Sequence, residues 1–504
     1  MNLVETIEAS AAKYPRKPML VGEHRQWTYE EALAASWGAA AYLRSLGVNR
    51  GDTVCILSLN IPEFVITMIA IWRLGAIVVP VNHKLAPGEC AYIFEHSSTK
   101  LVLASETLLS TAHASGANVQ VVALNGPDSN PDALFAPKTP AGEDHICQVD
   151  GETPAEILYT SGTTGKPKGC IHTHHSLRST AVLSAVAFSM VPTDRTLIAM
   201  PIWHAAPLNN FTLSTLFVGG TLVLLPEYDP TVFVTTLEEQ QISVFFGSPV
   251  SYTLPLHLPG GIVDYSFASI RAFFYGGGPI SAELSRELAI AYRSDNFYQV
   301  YGMTETGPGG TLLYPQEQQE KAGSIGNAAQ PGVDLKLVKE DGSPAAAGEV
   351  GEIWIRSDGM MSGYLNAPDA TAQAVDGRWY KSGDLARIDD DGYMFIVDRK
   401  KDMIITGGEN VYSKEVEDAL YTIDGVQDCA VIGVPHPEWG ETVVAVIVPE
   451  TPDSLDHSAM RDALTSRLAA YKIPRRIQEM SALPRTPTGK IQKHVIRGLL
   501  EEQT

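Results

Sequence analysis

The sequence predicts an α/β protein built on mainly parallel sheets. Apolar runs of strand length occur at Thr53–Ser58, Ile77–Val81 and Leu101–Ala104, and stretches with helical apolar spacing separate them. A run that is apolar throughout is typical of a strand covered on both faces by helices. Strands of this kind alternating with helices predict the α/β class.

Local signals place the first helices. Thr28 followed by Glu31 has the spacing of a capping box, so a helix is expected to begin after Thr28. The most apolar segment, residues 64–81, is interrupted by Arg73 and Pro80. This pattern predicts a buried helix that passes into a strand, and no membrane span.

Composition excludes several classes of function. The formal net charge is −21 over 504 residues, which argues against a general binder of nucleic acid or of anionic membranes. The five cysteines are scattered without CxxC spacing, so we expect neither a disulfide framework nor a zinc site. With no signal peptide visible, the predicted location is the cytoplasm. A homodimer is left open.

A loop rich in glycine, hydroxyl and lysine side chains follows the strand-like residues 155–159. It reads YTSGTTGKPKG from Tyr159 to Gly169. Glycines let backbone N–H groups approach an anion, and hydroxyl and ammonium groups add donors to phosphate oxygens. A Walker A loop does not fit, because Gly165-Lys166 comes too early and Pro167 replaces the hydroxyl residue. The alternative is a flexible surface loop.

Two more motifs follow in the chain. In YGMTET, from Tyr301 to Thr306, an aromatic ring can stack on a base, a hydroxyl can bind phosphate and a carboxylate can hold Mg²⁺. In PRTPTGKI, Lys490 sits on a loop shaped by Pro and Gly, from which a long side chain can reach outward.

These motifs, in this order, resemble those of the adenylate-forming superfamily, and the acyl-CoA synthetases in particular. The resemblance spans about residues 28–490. It implies a large N-terminal domain, 1–399, of mainly parallel sheets flanked by helices plus a small antiparallel subdomain. It also implies a small mobile α+β C-terminal domain, 400–504, with Lys401 as the hinge.

The resemblance assigns roles by position. It implies that ATP is bound by Thr160, Ser161, Gly162, Thr163, Thr164, Gly165, Lys168, Gly276, Gly277, Gly278, Tyr301, Asp384 and Arg399. It implies CoA contacts at Gly407, Gly408, Trp439 and Lys472, although Trp439, Lys472 and Arg475 are also compatible with ordinary surface residues. The catalytic residues implied are Lys490, Thr304, Glu305 and His204, with Glu305 as the Mg²⁺ ligand and His204 as a gate to the pantetheine tunnel.

The implied reaction joins a small carboxylic acid to CoA through an acyl-adenylate, with ATP and Mg²⁺. One alternative is transfer of the acyl group to an amine or to a carrier-protein thiol. Another is a nucleotide-binding module without turnover, which would require loss of Lys490, Glu305 or Asp384. The implied substrate pocket is apolar or aromatic and comprises Trp203, His204, Phe246, Tyr275 and Gly302, with Phe211 nearby.

Two polar features have ordinary structural explanations. His172, His174 and His175 suggest a metal site, but on a helix beginning near His174 they do not share one face with a fourth ligand. Lys84 lies where some acyl-CoA ligases contact a CoA phosphate, and a solvated lysine is the simpler interpretation.

Overall fold

The structure is a computed structural model that describes residues 2–126, 134–137, 149–160, 166–451, 455–465, 467–485 and 491–501. The chain divides into two compact units. The first comprises Met1–Leu335 and Ile355–Lys381, and the second comprises Lys336–Trp354 and Ser382–Thr504. These two units do not have the same limits as the predicted domains, 1–399 and 400–504, which stay predictions.

The strands are numbered in chain order over the described residues. They are β1 (Pro18–Val21), β2 (Gln26–Thr28), β3 (Thr53–Leu57), β4 (Ile77–Val81), β5 (Leu101–Ala104), β6 (Gln120–Ala123), β7 (Pro154–Thr160), β8 (Lys168–Thr173), β9 (Arg195–Ile198), β10 (Thr221–Leu224), β11 (Val244–Gly247), β12 (Ala272–Gly276), β13 (Phe297–Gly302), β14 (Gly310–Leu313), β15 (Ala328–Ala329), β16 (Val333–Val338), β17 (Val350–Ser357), β18 (Gly363–Tyr364), β19 (Val375–Asp376), β20 (Trp379–Ile388), β21 (Met394–Arg399), β22 (Ile404–Thr406), β23 (Glu409–Val411), β24 (Val426–His436), β25 (Gly440–Pro449) and β26 (Arg476–Glu479).

The α-helices are numbered in the same way. They are α1 (Leu3–Lys13), α2 (Tyr29–Ser45), α3 (Pro62–Arg73), α4 (Pro87–His96), α5 (Leu109–Ala114), α6 (His174–Ala187), α7 (Leu213–Val218), α8 (Pro230–Glu239), α9 (Pro249–Thr253), α10 (Ala282–Tyr292), α11 (Pro368–Ala374), α12 (Ser413–Leu420), α13 (His457–Thr465) and α14 (Lys493–Glu501). Within the described ranges, no helix combines the length and the apolar character needed to cross a membrane.

Two largely parallel sheets form the framework of the first unit. The seven-stranded sheet has the order β18-β8-β7-β4-β3-β5-β6. The five strands from β7 to β6 in this order run parallel, β8 is antiparallel to β7, and β18 at the edge is antiparallel to β8. The nine-stranded sheet has the order β15-β14-β13-β12-β11-β9-β10-β1-β2, and its six strands from β13 to β1 are parallel. The predicted α/β class is confirmed.

The local signals in the sequence act as expected at the start of the chain. Thr28 Oγ1 accepts the N–H of Glu31 at 3.2 Å, and the Glu31 carboxylate accepts the N–H of Thr28 at 2.8 Å. This reciprocal cap begins α2. The apolar segment 64–81 forms α3 and β4, and burying a side chain such as Phe64 there contributes about 2 kcal/mol to stability.

Antiparallel sheets lie toward the C-terminus. One has the order β16-β17-β20-β19 with β21 beside β20, and the unit boundaries fall within its strands β16, β17 and β20. The other, in the second unit, has the order β23-β22-β25-β24, with β26 parallel to β25. Lys401, the residue expected to be the hinge, lies in the turn between β21 and β22.

Candidate active site

Loops at one edge of the nine-stranded sheet carry most of the predicted site of the first unit. Strands β9, β11, β12 and β13 are parallel neighbours, with Phe246 opposite Phe274 and Gly276 opposite Val300. The carboxyl ends of parallel strands meet at one edge, where ligands of α/β proteins bind. This register places Phe246, the Gly276 turn and Tyr301 along the same edge.

The glycines after β12 have separate structural reasons. A Cβ at Gly276 would lie 2.8 Å from the carbonyl oxygen of Val300, so only glycine fits beside β13. Gly277 has a φ of +81°, a conformation that favours glycine, and no atom lies within 4 Å of its Cβ position. The turn thus presents bare backbone with open space beside it.

Glu305 lies in a short 3₁₀ turn, Thr304–Thr306, directly after β13. Glu305 is only 8% exposed. Its carboxylate nevertheless accepts a hydrogen bond from the hydroxyl of Tyr364, which lies 3.0 Å from Glu305 Oε1. Burial and the charge of Glu305 raise the pKa of the Tyr364 phenol, and the same causes raise the pKa of Tyr380. Both phenols therefore stay protonated and able to donate.

The predicted phosphate loop connects two paired strands. Thr160, at the end of β7, is the register partner of Lys168, at the start of β8. The Nζ of Lys168 lies 5.2 Å from the ring centroid of Tyr364. Several predicted residues lie outside the described residues, and these are Ser161, Gly162, Thr163, Thr164, Gly165 and Lys490.

The predicted gate follows β9. The rings of Trp203 and His204 lie 5.9 Å apart at 68°, and the ring of His83 lies 6.4 Å from that of Trp203. Buried Asn60 holds this loop, because its Oδ1 accepts the N–H of Ile202 at 2.8 Å. The Asn60 amide also donates to the carbonyl oxygens of Met200 and Leu225, at 3.1 and 2.9 Å.

The predicted substrate pocket residues differ in their surroundings. Phe246 is half-buried and stacks on Phe211 at 4.9 Å. Tyr275 is fully buried, and its hydroxyl donates to Gln318 Oε1 at 2.7 Å, so it packs in the core behind this edge. A Cβ at Gly302 would come within 2.2 Å of the carbonyl oxygen of Pro308, which explains the glycine.

A buried carboxyl group bonds β7 to the segment that follows the predicted gate. Glu156, in β7, is fully buried, and its Oε1 accepts the amide N–H of Asn209 at 2.8 Å. Asn209 belongs to a π-helical segment, Ala206–Thr212, that begins two residues after His204. Burial raises the pKa of Glu156 to about 8, against the smaller opposing effect of the Asn209 hydrogen bond.

Two of the three clustered histidines, His172 and His174, are buried, and His175 is exposed. Thr173 caps α6, which begins at His174 as predicted. Burial lowers the pKa of His172 and of His174 to about 4, so both rings are neutral at pH 7. Over the part of the chain that the structure describes, no three His, Cys, Asp or Glu side chains gather as metal ligands.

The second unit pairs two of the predicted nucleotide contacts. Asp384 and Arg399 are register partners in β20 and β21, and Arg399 Nε lies 2.7 Å from Asp384 Oδ1. Glu352 supports the adjacent turn, since its carboxylate accepts the N–H of Gly383 at 3.0 Å and lies 3.1 Å from Lys400 Nζ. Lys401 is exposed in the tight turn that follows Arg399.

The predicted CoA contacts fall into two groups within this unit. Gly407 donates its N–H to the carbonyl oxygen of Trp439 at 2.8 Å, and its φ of +60° and the nearby indole leave no room for a side chain. The Arg475 guanidinium lies 4.3 Å from the Trp439 ring centroid. Lys472 is instead held by Glu415, with Nζ at 2.6 and 2.8 Å from the two carboxylate oxygens. Gly408, with a φ of +83°, completes the turn.

The sequence reasoning missed Asn60, Glu156, Asn209 and the Tyr364–Tyr380 pair. Glu156 did leave a signal, because an acidic residue within the apolar run 155–159 needs a buried partner. The others carry no local signal. Their partners lie far along the chain, as with Tyr364 and Glu305, which are 59 residues apart.

Comparison with known proteins finds relatives that are similar over nearly the whole chain. A feruloyl-CoA synthase from Amycolatopsis sp is 37% identical over 477 residues, which is 93% of each chain. The solved o-succinylbenzoate CoA synthetase from Bacillus subtilis, in complex with an acyl-adenylate, matches with a TM-score of 0.86 and 29% identity, covering 98% of this chain and 97% of that one. The amide bond synthetase from Marinactinospora thermotolerans matches with a TM-score of 0.87 and 25% identity over 99% of both chains.

Family models match both ends of the chain. The model of the AMP-binding enzyme covers residues 7–365, and the model of the AMP-binding enzyme C-terminal domain covers residues 415–490. The chain therefore belongs to the AMP-binding enzymes, the adenylate-forming superfamily whose motifs its sequence carries.

Proposed function

We propose that the protein is an ATP-dependent carboxylic acid–CoA ligase that works through an acyl-adenylate. The observation that supports this most directly is the edge of the nine-stranded sheet. There the open backbone turn at Gly276–Gly278 ends β12, Tyr301 lies near the end of the adjacent parallel strand β13, and Glu305 follows β13. An adenine ring, a phosphate chain and a carboxylic acid require surfaces of these kinds.

The first half-reaction forms the acyl-adenylate. A carboxylate oxygen of the acid attacks the α-phosphorus of ATP, the new C–O–P linkage forms, and the bond to pyrophosphate breaks. Both reactants are anions, so positive charge must offset their repulsion. In this proposal Lys168 and the backbone of the phosphate loop bind phosphate oxygens, Thr304 adds a hydroxyl donor, and Lys490 neutralises the reacting carboxylate and α-phosphate.

A magnesium ion fits the donor set at Glu305. Mg²⁺ prefers hard oxygen ligands and is usually held by one or two carboxylates together with substrate phosphates and water. Glu305 provides one such carboxylate, buried and oriented by Tyr364. When bound there, Mg²⁺ supplies positive charge to the phosphate oxygens of ATP.

In the second unit, Asp384 and Arg399 are proposed to bind the nucleotide. A carboxylate can accept hydrogen bonds from two adjacent hydroxyls, which suits the ribose. The ion pair to Arg399 Nε occupies Asp384 Oδ1 and fixes the plane of the carboxylate. We also propose that the chain pivots at Lys401 between the two half-reactions.

The second half-reaction transfers the acyl group. The CoA sulfur attacks the carbonyl carbon of the adenylate, the C–S bond forms, and the bond to the AMP oxygen breaks. The thiol loses its proton to water, and a thiol of ordinary pKa of about 8.5 is reactive enough toward such an ester. Trp439, Gly407 and Gly408 are the proposed CoA contacts in the second unit. Lys472 joins them only if it leaves Glu415.

The proposed acid is apolar or aromatic and has one carboxylate. Trp203 and Phe246 are half-buried at the sheet edge, and Phe246 rests on the fully buried Phe211. Aromatic walls of this kind suit an apolar acyl group. Cytoplasmic location and a possible homodimer stay predictions.

The acceptor is tested by trapping the intermediate. A panel of carboxylic acids is incubated with ATP and Mg²⁺, first with hydroxylamine and then with CoA. An acyl-CoA ligase forms hydroxamate in the first assay and thioester in the second. Hydroxamate without thioester would favour the amine acceptor, a possibility that the likeness to an amide bond synthetase supports. If neither hydroxamate nor thioester forms with any acid of the panel, the proposal is contradicted.

A further inference from the structure

Tyr364 is held rigidly between the two charged groups of the first unit that the proposed function assigns to ATP. It lies in β18, paired with β8 so that Tyr364 faces Cys170 and Gly363 faces Ile171. Its own N–H donates to Thr371 Oγ1 at 2.9 Å. On either side, the N–H groups of Ser362 and Leu365 each donate to β8 carbonyl oxygens at 2.8 Å.

The hydroxyl of Tyr364 acts on the carboxylate. It lies 3.0 Å from Glu305 Oε1, and because a carboxylate has no proton to give, the phenol is the donor. The hydroxyl of buried Tyr380 lies 3.4 Å from that of Tyr364. Since Tyr364 gives its only proton to Glu305, Tyr380 is the donor in this second contact. The two phenols form a short chain that ends on the carboxylate.

The ring of the same residue faces the ammonium group. Lys168 Nζ lies 5.2 Å from the Tyr364 ring centroid, within the range of a cation–π interaction. Lys168 belongs to β8, the strand with which β18 pairs. One side chain therefore contacts both the carboxylate through its hydroxyl and the lysine through its face.

We infer that Tyr364 is a positioning residue for nucleotide binding, an assignment that rests on the proposed function. Its hydroxyl aims the Glu305 carboxylate at the metal that accompanies ATP, and its ring holds Lys168 toward the phosphates. The hydroxyl and the ring therefore act on different parts of the ligand, and substitutions can separate them.

The experiment measures ATP affinity by titration calorimetry without acid or CoA, once with excess Mg²⁺ and once with EDTA. The dissociation constant in EDTA divided by that in Mg²⁺ reports the coupling between metal and nucleotide, and a smaller ratio means weaker coupling. Tyr364→Phe keeps the ring and removes the hydroxyl, so it should reduce this ratio about tenfold and leave the affinity in EDTA unchanged. Tyr364→Leu removes both, so it should also weaken ATP binding in EDTA by about threefold.

Two further variants make the result decisive. Tyr380→Phe is the matched control, which loses a phenol one step from the carboxylate and should lower the ratio by about threefold or less. Glu305→Gln tests the metal ligand itself and should abolish the coupling. The binding stoichiometry gives the folded fraction of each variant separately from its affinity.

Two results would overturn the inference. If Tyr364→Phe keeps the wild-type ratio while Glu305→Gln loses it, Glu305 binds metal without help from Tyr364. If Glu305→Gln itself keeps the wild-type ratio, the metal assignment in the proposed function is wrong, and the role of Tyr364 falls with it.

Discussion

The amide of Asn209 donates a hydrogen bond to Glu156 Oε1 at 2.8 Å, and both side chains are completely buried. Glu156 lies in β7, four residues before Thr160, and Asn209 lies in the π-helical segment that begins two residues after His204, the predicted gate. The bond thus joins the strand that precedes the predicted phosphate loop to the segment that follows the predicted gate. Single π-helical turns are frequent at functional sites.

Glu156→Gln should change how stability depends on pH. Burial raises the pKa of Glu156 to about 8 in the folded state, from an ordinary value of 4.5. Between pH 4.5 and 8 the folded protein holds a proton that the unfolded chain has released, so this group's contribution is full below pH 4.5 and is lost as pH rises through 8. Gln keeps the acceptor for Asn209 and does not titrate.

The free energy of unfolding of the variant should therefore be close to that of the wild type near pH 4.5 and exceed it at pH 8 by about 4 kcal/mol. Thermal unfolding of both proteins across this range measures the difference. A difference that stays constant from pH 4.5 to 8 would show that the buried carboxyl does not hold its proton.

Lys490→Ala should separate the two half-reactions. Loss of a cation that offsets two approaching anions should slow adenylation by about 10²-fold or more. Thioester formation from supplied acyl-adenylate and CoA should continue at the wild-type rate, as measured by single-turnover assays of each half. Lys414→Ala, at an exposed pair with Asp418, is the control. If the rates of adenylation and of thioester formation fall equally, Lys490 does not act in the adenylation half-reaction alone.

Asp384→Asn should reduce the preference for ribose. If Asp384 accepts the ribose hydroxyls, the wild type has a higher kcat/KM for ATP than for 2′-deoxy-ATP. The amide variant should reduce the ratio of these two kcat/KM values about tenfold. The control is Asp428→Asn, which also breaks an aspartate–arginine pair in the second unit, at 2.6 Å from Arg485. Unchanged discrimination in Asp384→Asn would remove ribose binding from its role.

Trp439→Ala should affect only the CoA half-reaction. The indole is 41% exposed, contacts the Arg475 guanidinium and packs over Gly407. Its loss should raise the KM for CoA about tenfold, the effect of losing one stacked aromatic contact, while the rate of hydroxamate formation stays the same. Tyr421→Ala removes another exposed aromatic of this unit and serves as the control. An unaltered KM for CoA would show that Trp439 is an ordinary surface residue that does not contact CoA.

Sequence reasoning succeeded where the cause is local. The cap of α2 at Thr28 and the start of α6 at His174 each depend on a side chain that bonds to backbone within the next turn. The buried strands β3, β4 and β5 follow from apolar runs alone. The family was recognised because the residue types of its motifs and their order are distinctive.

Other features could not be found in this way. Tyr275 stays a prediction for the substrate pocket. The sequence did not show that its side chain is fully buried with its hydroxyl on Gln318, because alternate residues of a covered strand face opposite layers. Lys472 stays a predicted CoA contact, and the sequence did not show that its ammonium lies on Glu415. Neither partner is near in sequence, so no spacing rule points to the pair.

By itself the sequence determined the class of fold, the order of the motifs and the family, because these depend on local propensity, apolar periodicity and residue identity. Only the tertiary structure decided that Tyr364 contacts both Glu305 and Lys168, and that Glu156 is buried against Asn209. Sheet pairing brings together side chains that are dozens of residues apart. Hydrogen bonds and desolvation then act over a few ångströms of space, whatever the distance along the chain.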